Sequence, residues 1–456
     1  MNTPMDPVKD IETRLNDFDP TVRMEALQDL RSGLDAGLIT TPLPEPVCNL
    51  HVHTFFSYNA FGYSPSFLAW LAKREGILIM GIVDFDTIAG VEEFLAACEI
   101  LEQRGTASME TRVFLPEFSN LVINSPNEPG VVYYMICGIP SGEIPADAYA
   151  IIEDLQDRSS LRNQRIVAIL NQHLFPLQVD YDEDVLPLSA GHTPTERHIL
   201  SAYLVQEEQV LKDPVAFWSQ KLEQKPDVIR TLRTEPPKFK SVIRRKLIKT
   251  GGVAYQQPDE HSFQSLENIH TLSNHCSALP TLSWLDGTNA GEQREPELLH
   301  YLIPKGLRGF NIIPDRNWHF DDREERERKV QNLYDVVTLV QGMDLPIIVG
   351  TEMNRPGQKW VDDFEATALV PLRQTFMTGA FFLYGHTMLA RHAGIGVGSE
   401  WAREHLPRRR EKNRFYAAAG RLIKPTAAFR RGLGSLPVNP SPKKILSFLA
   451  SLQDQE

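Results

Sequence analysis

Cysteine is scarce and scattered. The chain has four in 456 residues (Cys48, Cys98, Cys137 and Cys276), without CxxC or zinc-finger spacing, which excludes a cysteine metal knuckle and reads as reduced, mostly buried thiols. That usage favours the cytoplasm. Long apolar runs are also missing: the longest, ILIMGIV at 77–83 and LPIIVG at 345–350, are strand-sized, so no membrane span is expected. The opening MNTPMDPVKDIETRL has no apolar stretch of the kind a signal peptide uses. Positive charge is not in surplus either. A formal charge of −12 and a pI near 5.6 disfavour non-specific nucleic-acid binding as the default role. The sequence carries no signature of an oligomeric state.

What is present is an alternation of strand and helix patterns in a chain long enough for two or three units, at roughly 150 residues per domain. Residues 7–38 show apolar positions at helical spacing, broken by Asp19-Pro20 and ended by Gly37. From 46 to about 140 the order is strand (48–53), helix (64–76), strand (78–85), helix (90–105), then two strands (108–118 and 131–139). Between roughly 146 and 258 strands give way to charged amphipathic helices. Alternation resumes afterwards and ends in PIIVGTEMN and further helices, before a basic, Pro/Gly-punctuated tail read as a solvated extension or a docking element for an anionic partner. A βαβα order of this kind implies a mainly parallel sheet whose carboxyl-end loops carry the chemistry.

The segment NLHVHTFF places His51 and His53 at i and i+2. In a strand these share a face, so both imidazoles reach one point at its end. Imidazole with carboxylate oxygen suits a borderline divalent ion, and a hydrolytic site leaves a coordination position open for water. A second candidate region is GFNIIPDRNW at 309–318, where Arg316 follows a strand directly and would either hold an anionic group or pair with Asp315.

In this order of motifs the chain resembles the polymerase and histidinol phosphatase (PHP) superfamily, whose members begin with LHxHTxxSDG. NLHVHTFFSYNAFGYSP matches at His51, His53, Thr54 and Ser57, with Tyr58 in the place of the acid. VDFDTIAGVEEF is similar to the family's TDHDT motif, with Asp84 retained and Phe85 where a ligand histidine stands. ASMETRVF puts Glu110 at the strand-end glutamate, with Glu117 as the fallback. PTERHIL resembles a cap segment at Arg197 and His198, which would meet a substrate phosphate or be ordinary surface residues. Trp284 falls where another histidine is expected, with Asp286 two residues on, and PIIVGTEMN offers Glu352 and Asn354 for an aspartate and a histidine.

The resemblance implies an α/β fold: a distorted (β/α)7-type PHP barrel with a helical insertion and helical extensions at both ends. The expected divisions are a helical N-terminal extension (1–45), a first barrel part (46–145), a helical cap (146–258), a second barrel part (259–400) and a basic C-terminal extension (401–456). It also implies a metal-dependent hydrolase, foremost a phosphoesterase using metal-bound hydroxide on a small anionic metabolite or nucleotide. With Phe85, Trp284, Asn354 and Met135 or Tyr134 at histidine positions, one zinc, manganese or iron ion is expected rather than three. Its ligands would be His51, His53, Glu110 and Glu352. Asp84 would be a ligand, a water-orienting base or a loop cap, and Asp286 a catalytic acid or a turn residue before Gly287. A mononuclear amidohydrolase-like enzyme and a non-catalytic binding module derived from the same barrel are the alternatives.

Overall fold

A computed structural model describes residues 7–259 and 261–453; the outer ends of the two expected extensions and Glu260 lie outside it. Seven strands lie in chain order in one sheet: β1 (Glu45–Val52), β2 (Ile77–Phe85), β3 (Arg104–Phe114), β4 (Val131–Cys137), β5 (Leu279–Trp284), β6 (Gly309–Ile312) and β7 (Ile347–Val349). All neighbours run parallel except β4, which is antiparallel to both β3 and β5. This is the distorted α/β barrel expected. Parallel strands are covered on both faces, which is why they read as continuous apolar runs rather than alternating ones; β5 is buried along its whole length.

The barrel all but closes through residues just past β7. Glu352 N donates to His51 O at 2.7 Å and His53 N donates to Glu352 O at 2.9 Å. Asn49 reinforces this seam, its side chain donating to Thr351 Oγ1 (2.7 Å) and accepting from Thr351 N (3.2 Å). Gly350 is required here, because a Cβ at that position would lie 2.4 Å from His51 N and 2.6 Å from Asn49 Oδ1. Closure therefore brings the ends of β1 and β7 side by side at the carboxyl rim.

Helices wrap the barrel, and their caps are legible in the chain. The helix Pro65–Arg74 starts with Ser64 accepting from Phe67 N at 2.9 Å and with proline in its first turn, the N-terminal pairing that satisfies an otherwise orphaned amide. The excursion between β4 and β5 builds a second hydrophobic cluster within 166–254, around Leu170, Tyr203, Trp218, Phe239 and Ile243. The tail is not a solvated appendage. Its helices Arg409–Leu422, Ala427–Gly434 and Pro442–Gln453 bury Phe415, Tyr416, Phe429 and Leu449 in the main core. Apolar residues at helical spacing outweigh the basic residues, of which Arg410, Arg414, Arg421 and Arg431 stay exposed. The N-terminal segment likewise contributes Leu15, Leu27 and Leu30 to that core. Among the described residues, no helix is long and apolar enough to cross a membrane.

Candidate metal centre and the cavity above it

His51 and His53 leave the carboxyl end of β1 on one face, and Glu110 projects from β3 toward them. All three are buried, and one ligand atom from each lies within 4.8 Å of the other two. Glu110 Oε2 is 3.7 Å from His51 Nε2 and 3.4 Å from His53 Nε2. Both Nε2 atoms are shut off from solvent without a hydrogen-bond partner.

The surrounding hydrogen bonds set the tautomers. Asn311 Nδ2 donates to Ile348 O (3.2 Å), which turns its Oδ1 toward His51 Nδ1 at 3.1 Å. His51 Nδ1 must then carry the hydrogen. Ser57 Oγ has one hydrogen, and it goes to Asp84 Oδ1 at 2.6 Å, since a carboxylate only accepts. The 3.1 Å contact between Ser57 Oγ and His53 Nδ1 is therefore donated by the ring. With both Nδ1 hydrogens placed, each neutral ring presents a bare Nε2 lone pair to a carboxylate oxygen. Three facing electron pairs repel unless a cation lies between them, and an Nδ1–H anchored by an outer partner is how metal-binding histidines are oriented. The donor set of two imidazoles and a carboxylate, with orphaned Nε2 atoms, thus fits a divalent ion.

The electrostatics agree. Burial alone would disfavour a charged His51, but the Glu110 carboxylate outweighs it and raises the imidazole pKa. Burial would raise Glu110, yet the two facing histidines hold it down at about 2. The pocket therefore demands positive charge opposite Glu110, as protons or as an ion.

The other expected site residues are placed as follows. Glu352 lines the same cavity, but Arg316 Nη2 donates to both its carboxylate oxygens at 2.8 Å and Arg355 stands 3.8 Å away. It does not join the three-ligand group. Arg316 thus pairs with Glu352 and not with Asp315, which accepts from His319 (2.9 Å). Asp84 is a loop cap and does not face the cavity: it accepts from Thr54 N (2.8 Å), Thr54 Oγ1 (2.6 Å) and Ser57 Oγ. Its acceptor capacity is spent holding the loop after β1. Asp286 is likewise a turn residue, accepting from Thr288 and paired with Lys329 at 3.1 Å. His198 is structural, its Nδ1 accepting from Thr195 N at 2.9 Å in a capping box; burial, then Lys240 and Arg197, push its pKa down to about 4. Arg197 does line the cavity, with its guanidinium 5.1 Å from the Tyr58 ring centroid. Glu117 is exposed beyond β3. Phe85 stacks beside His53, ring centroids 6.1 Å apart, and Trp284 is buried in the wall.

A cavity of about 500 Å³ opens over this group, between the barrel rim and the helical insertion. Besides Arg197, Arg316 and Arg355, its wall includes Arg112 from β3, Arg162 from the helix Ala146–His173, and Arg244, Arg245 and Lys249 from the end of the helix Pro236–Leu247 and the turn after it. These cations outnumber the carboxylates Asp86, Glu110, Glu128, Glu196 and Glu352 in the same wall. Sequence reasoning missed the five from β3 and the insertion. The run KSVIRRKLIK at 240–249 was the available signal.

No family model and no curated protein matches the chain. Among solved structures, it is similar to an amidohydrolase from Chromobacterium violaceum, solved with bound sulfate and no metal: 15% identity, 69% of this chain and 91% of that one covered, TM-score 0.47. It is also similar to a protein from Bifidobacterium adolescentis provisionally named a metal-dependent phosphoesterase: 17% identity, 73% and 97% covered, TM-score 0.44.

Proposed function

We propose that this protein is a metal-dependent hydrolase, and specifically a phosphoesterase acting on a small phosphorylated molecule held between the barrel rim and the helical insertion. The observation that carries the reading is the pair of buried, partnerless Nε2 atoms aimed at Glu110 beneath a cation-rich cavity. His51, His53 and Glu110 would hold one zinc, manganese or iron ion. Three protein ligands leave a position open, as catalytic rather than structural sites do. A divalent ion there supplies Lewis acidity and a lowered pKa for water.

The chain's own residues do the rest. Asn311 and Ser57 keep the imidazole tautomers that expose Nε2, and Asp84 keeps Ser57 in place. Arg316 favours the charged form of Glu352 at the cavity floor against the opposing pull of burial. Phe85 and Trp284 exclude water from one side, which strengthens every charge interaction within. Arg197, stacked on Tyr58, presents a planar donor set matched to phosphoryl oxygens. Four buried, unpaired cysteines accord with a cytoplasmic setting.

The test is hydrolysis by protein loaded with zinc, manganese or iron. Release of orthophosphate from phosphate monoesters, lost in His51→Ala, is the expected result. Turnover of lactones or amides without phosphate release would reassign the enzyme to amidohydrolase-like chemistry. A metal-loaded protein that turns over none of these would overturn the enzymatic reading in favour of a binding module.

A further inference from the structure

On the insertion side of the main cavity lies a second one of about 280 Å³, and the two share a wall. Arg112, Glu128, Arg162, Glu196 and Lys249 line both. Within this partition Glu196 is claimed by Arg244 (2.6 Å) and Lys249 (3.0 Å), and Glu128 by Arg112 at 3.3 Å. Arg162 has no carboxylate within ion-pair distance among the described residues; its polar side-chain contact is Ser159 Oγ at 3.0 Å. Arg112 and Arg162 both lie against the Phe263 ring, 4.5 and 5.9 Å from its centroid, so two half-buried guanidinium groups are held near one another. Burial, then the Arg112 charge, pull the Arg162 pKa down to about 10.

Arg112, Arg162, Arg244 and Lys249 face the carboxylates Asp86, Glu128 and Glu196, which leaves a net positive charge at this partly shielded partition. Such an arrangement is costly unless an anion completes it. A planar guanidinium flanked by a second one and by an ammonium matches the oxygens of a phosphoryl group, whose negative charge the cationic surplus favours.

We propose that this partition is an anion site separate from the metal group, seating a dianionic phosphoryl group on Arg112, Arg162 and Lys249. If the main cavity is the hydrolase site proposed above, on which this step rests, the substrate carries a second phosphoryl group remote from the one that reacts. The partition then selects doubly charged substrates over singly charged ones.

Titration of the full chain with inorganic phosphate after chelator treatment tests the site itself. One equivalent is expected to bind, to bind equally to the His51→Ala/His53→Ala variant, and to weaken about tenfold or more in Arg162→Gln and in Lys249→Gln, as loss of a charge-assisted contact implies. Arg162→Lys, which keeps the charge, is expected to fall between. Binding abolished by the histidine changes, or unaltered in both folded partition variants, overturns the proposal, as does an absence of binding to the wild type. The substrate arm compares bisphosphorylated with monophosphorylated esters: Arg162→Gln should raise KM for the former and leave kcat nearly constant. An equal effect on both would make the seat one for free phosphate and not for the substrate. Because the phosphate titration needs neither metal nor turnover, its failure is distinguishable from failure of the hydrolase reading.

Discussion

Replacing Ser57 with alanine isolates the element that prepares His53 for a metal. The hydroxyl accepts from His53 Nδ1 at 3.1 Å and donates to Asp84 at 2.6 Å. Without it, a buried Nδ1–H has no acceptor, at a cost of about 1–3 kcal/mol. The ring escapes that cost by moving its hydrogen to Nε2, where Glu110 Oε2 waits 3.4 Å away. A metal must then reverse the switch before it binds. Outer partners of this kind are worth about 10–100-fold in metal affinity, or about 1.4–2.7 kcal/mol. Asp84 keeps both Thr54 contacts, so the metal-free protein should lose no more than about 3 kcal/mol, the value of one hydrogen bond to a charged group, and remain folded. Calorimetric titration with zinc measures the affinity, and long-range proton–nitrogen correlation of the metal-free protein reports the tautomer directly. Ser283→Ala is the control, since that hydroxyl lines the cavity with no partner, and its zinc affinity should equal the wild type's. A Ser57→Ala protein with wild-type affinity and the hydrogen still on Nδ1 would refute the reasoning.

Other expectations follow from the same geometry. Arg316→Met leaves Glu352 with the longer contacts to Gln358 (3.5 Å) and Arg355 (3.8 Å); breaking a buried pair costs about 3–5 kcal/mol, and with Arg316 itself 30% exposed the lower end is expected. Added metal should raise the Tm of this variant more than that of the wild type, because a freed Glu352 can join the ligands; an equal rise would remove Glu352 from consideration. In chelated protein, the raised His51 pKa contributes stability that is full below its ordinary 6.5 and lost as pH rises through the higher folded value, whereas depressed Glu110 contributes above 4.5 and loses it as pH falls toward about 2. The pair therefore stabilises metal-free protein most between those two ordinary values, and metal affinity should rise with pH through and above 6.5. Denaturation of wild type against Glu110→Gln across that range checks the sign: a gap that widens above neutrality would contradict it. Trp218→Ala, in the core of the insertion and bonded to Glu207, should cost about 3–5 kcal/mol in denaturant unfolding without changing metal stoichiometry in the remaining folded protein.

The barrel was legible because its strands are short, apolar on both faces and separated by helices with clear starts, such as Ser64-Pro65. The histidine pair was legible because strand geometry alone puts i and i+2 together. What the chain does not display is which partner claims a carboxylate. Asp84 near the end of β2 and Glu110 within β3 are both acids on strands, yet one is consumed by Thr54 and Ser57 while the other faces two imidazoles. For Asp286 and His198 the sequence left a site role and a local role both open, and the backbone and lysine partners that engage them are not visible in its spacing. The Arg316–Glu352 pair joins residues on two strand ends that only barrel closure brings together. The basic residues of the insertion read only as part of charged amphipathic helices, because nothing in their spacing tells that the helix ends above a cavity. In the tail, Arg408–Arg410 drew attention from Phe415, Tyr416 and Ala419, whose helical spacing fills the core.

The central claim is that His51, His53 and Glu110 hold one cation. Elemental analysis of the full chain, purified without chelator and compared with the His51→Ala/His53→Ala variant at equal folded concentration, tests it most directly. About one equivalent of zinc, manganese or iron in the wild type, absent from the variant, is the result expected. Metal-free wild-type protein that also fails to take up any of the three ions on titration, or a variant that retains the wild-type complement, would contradict it.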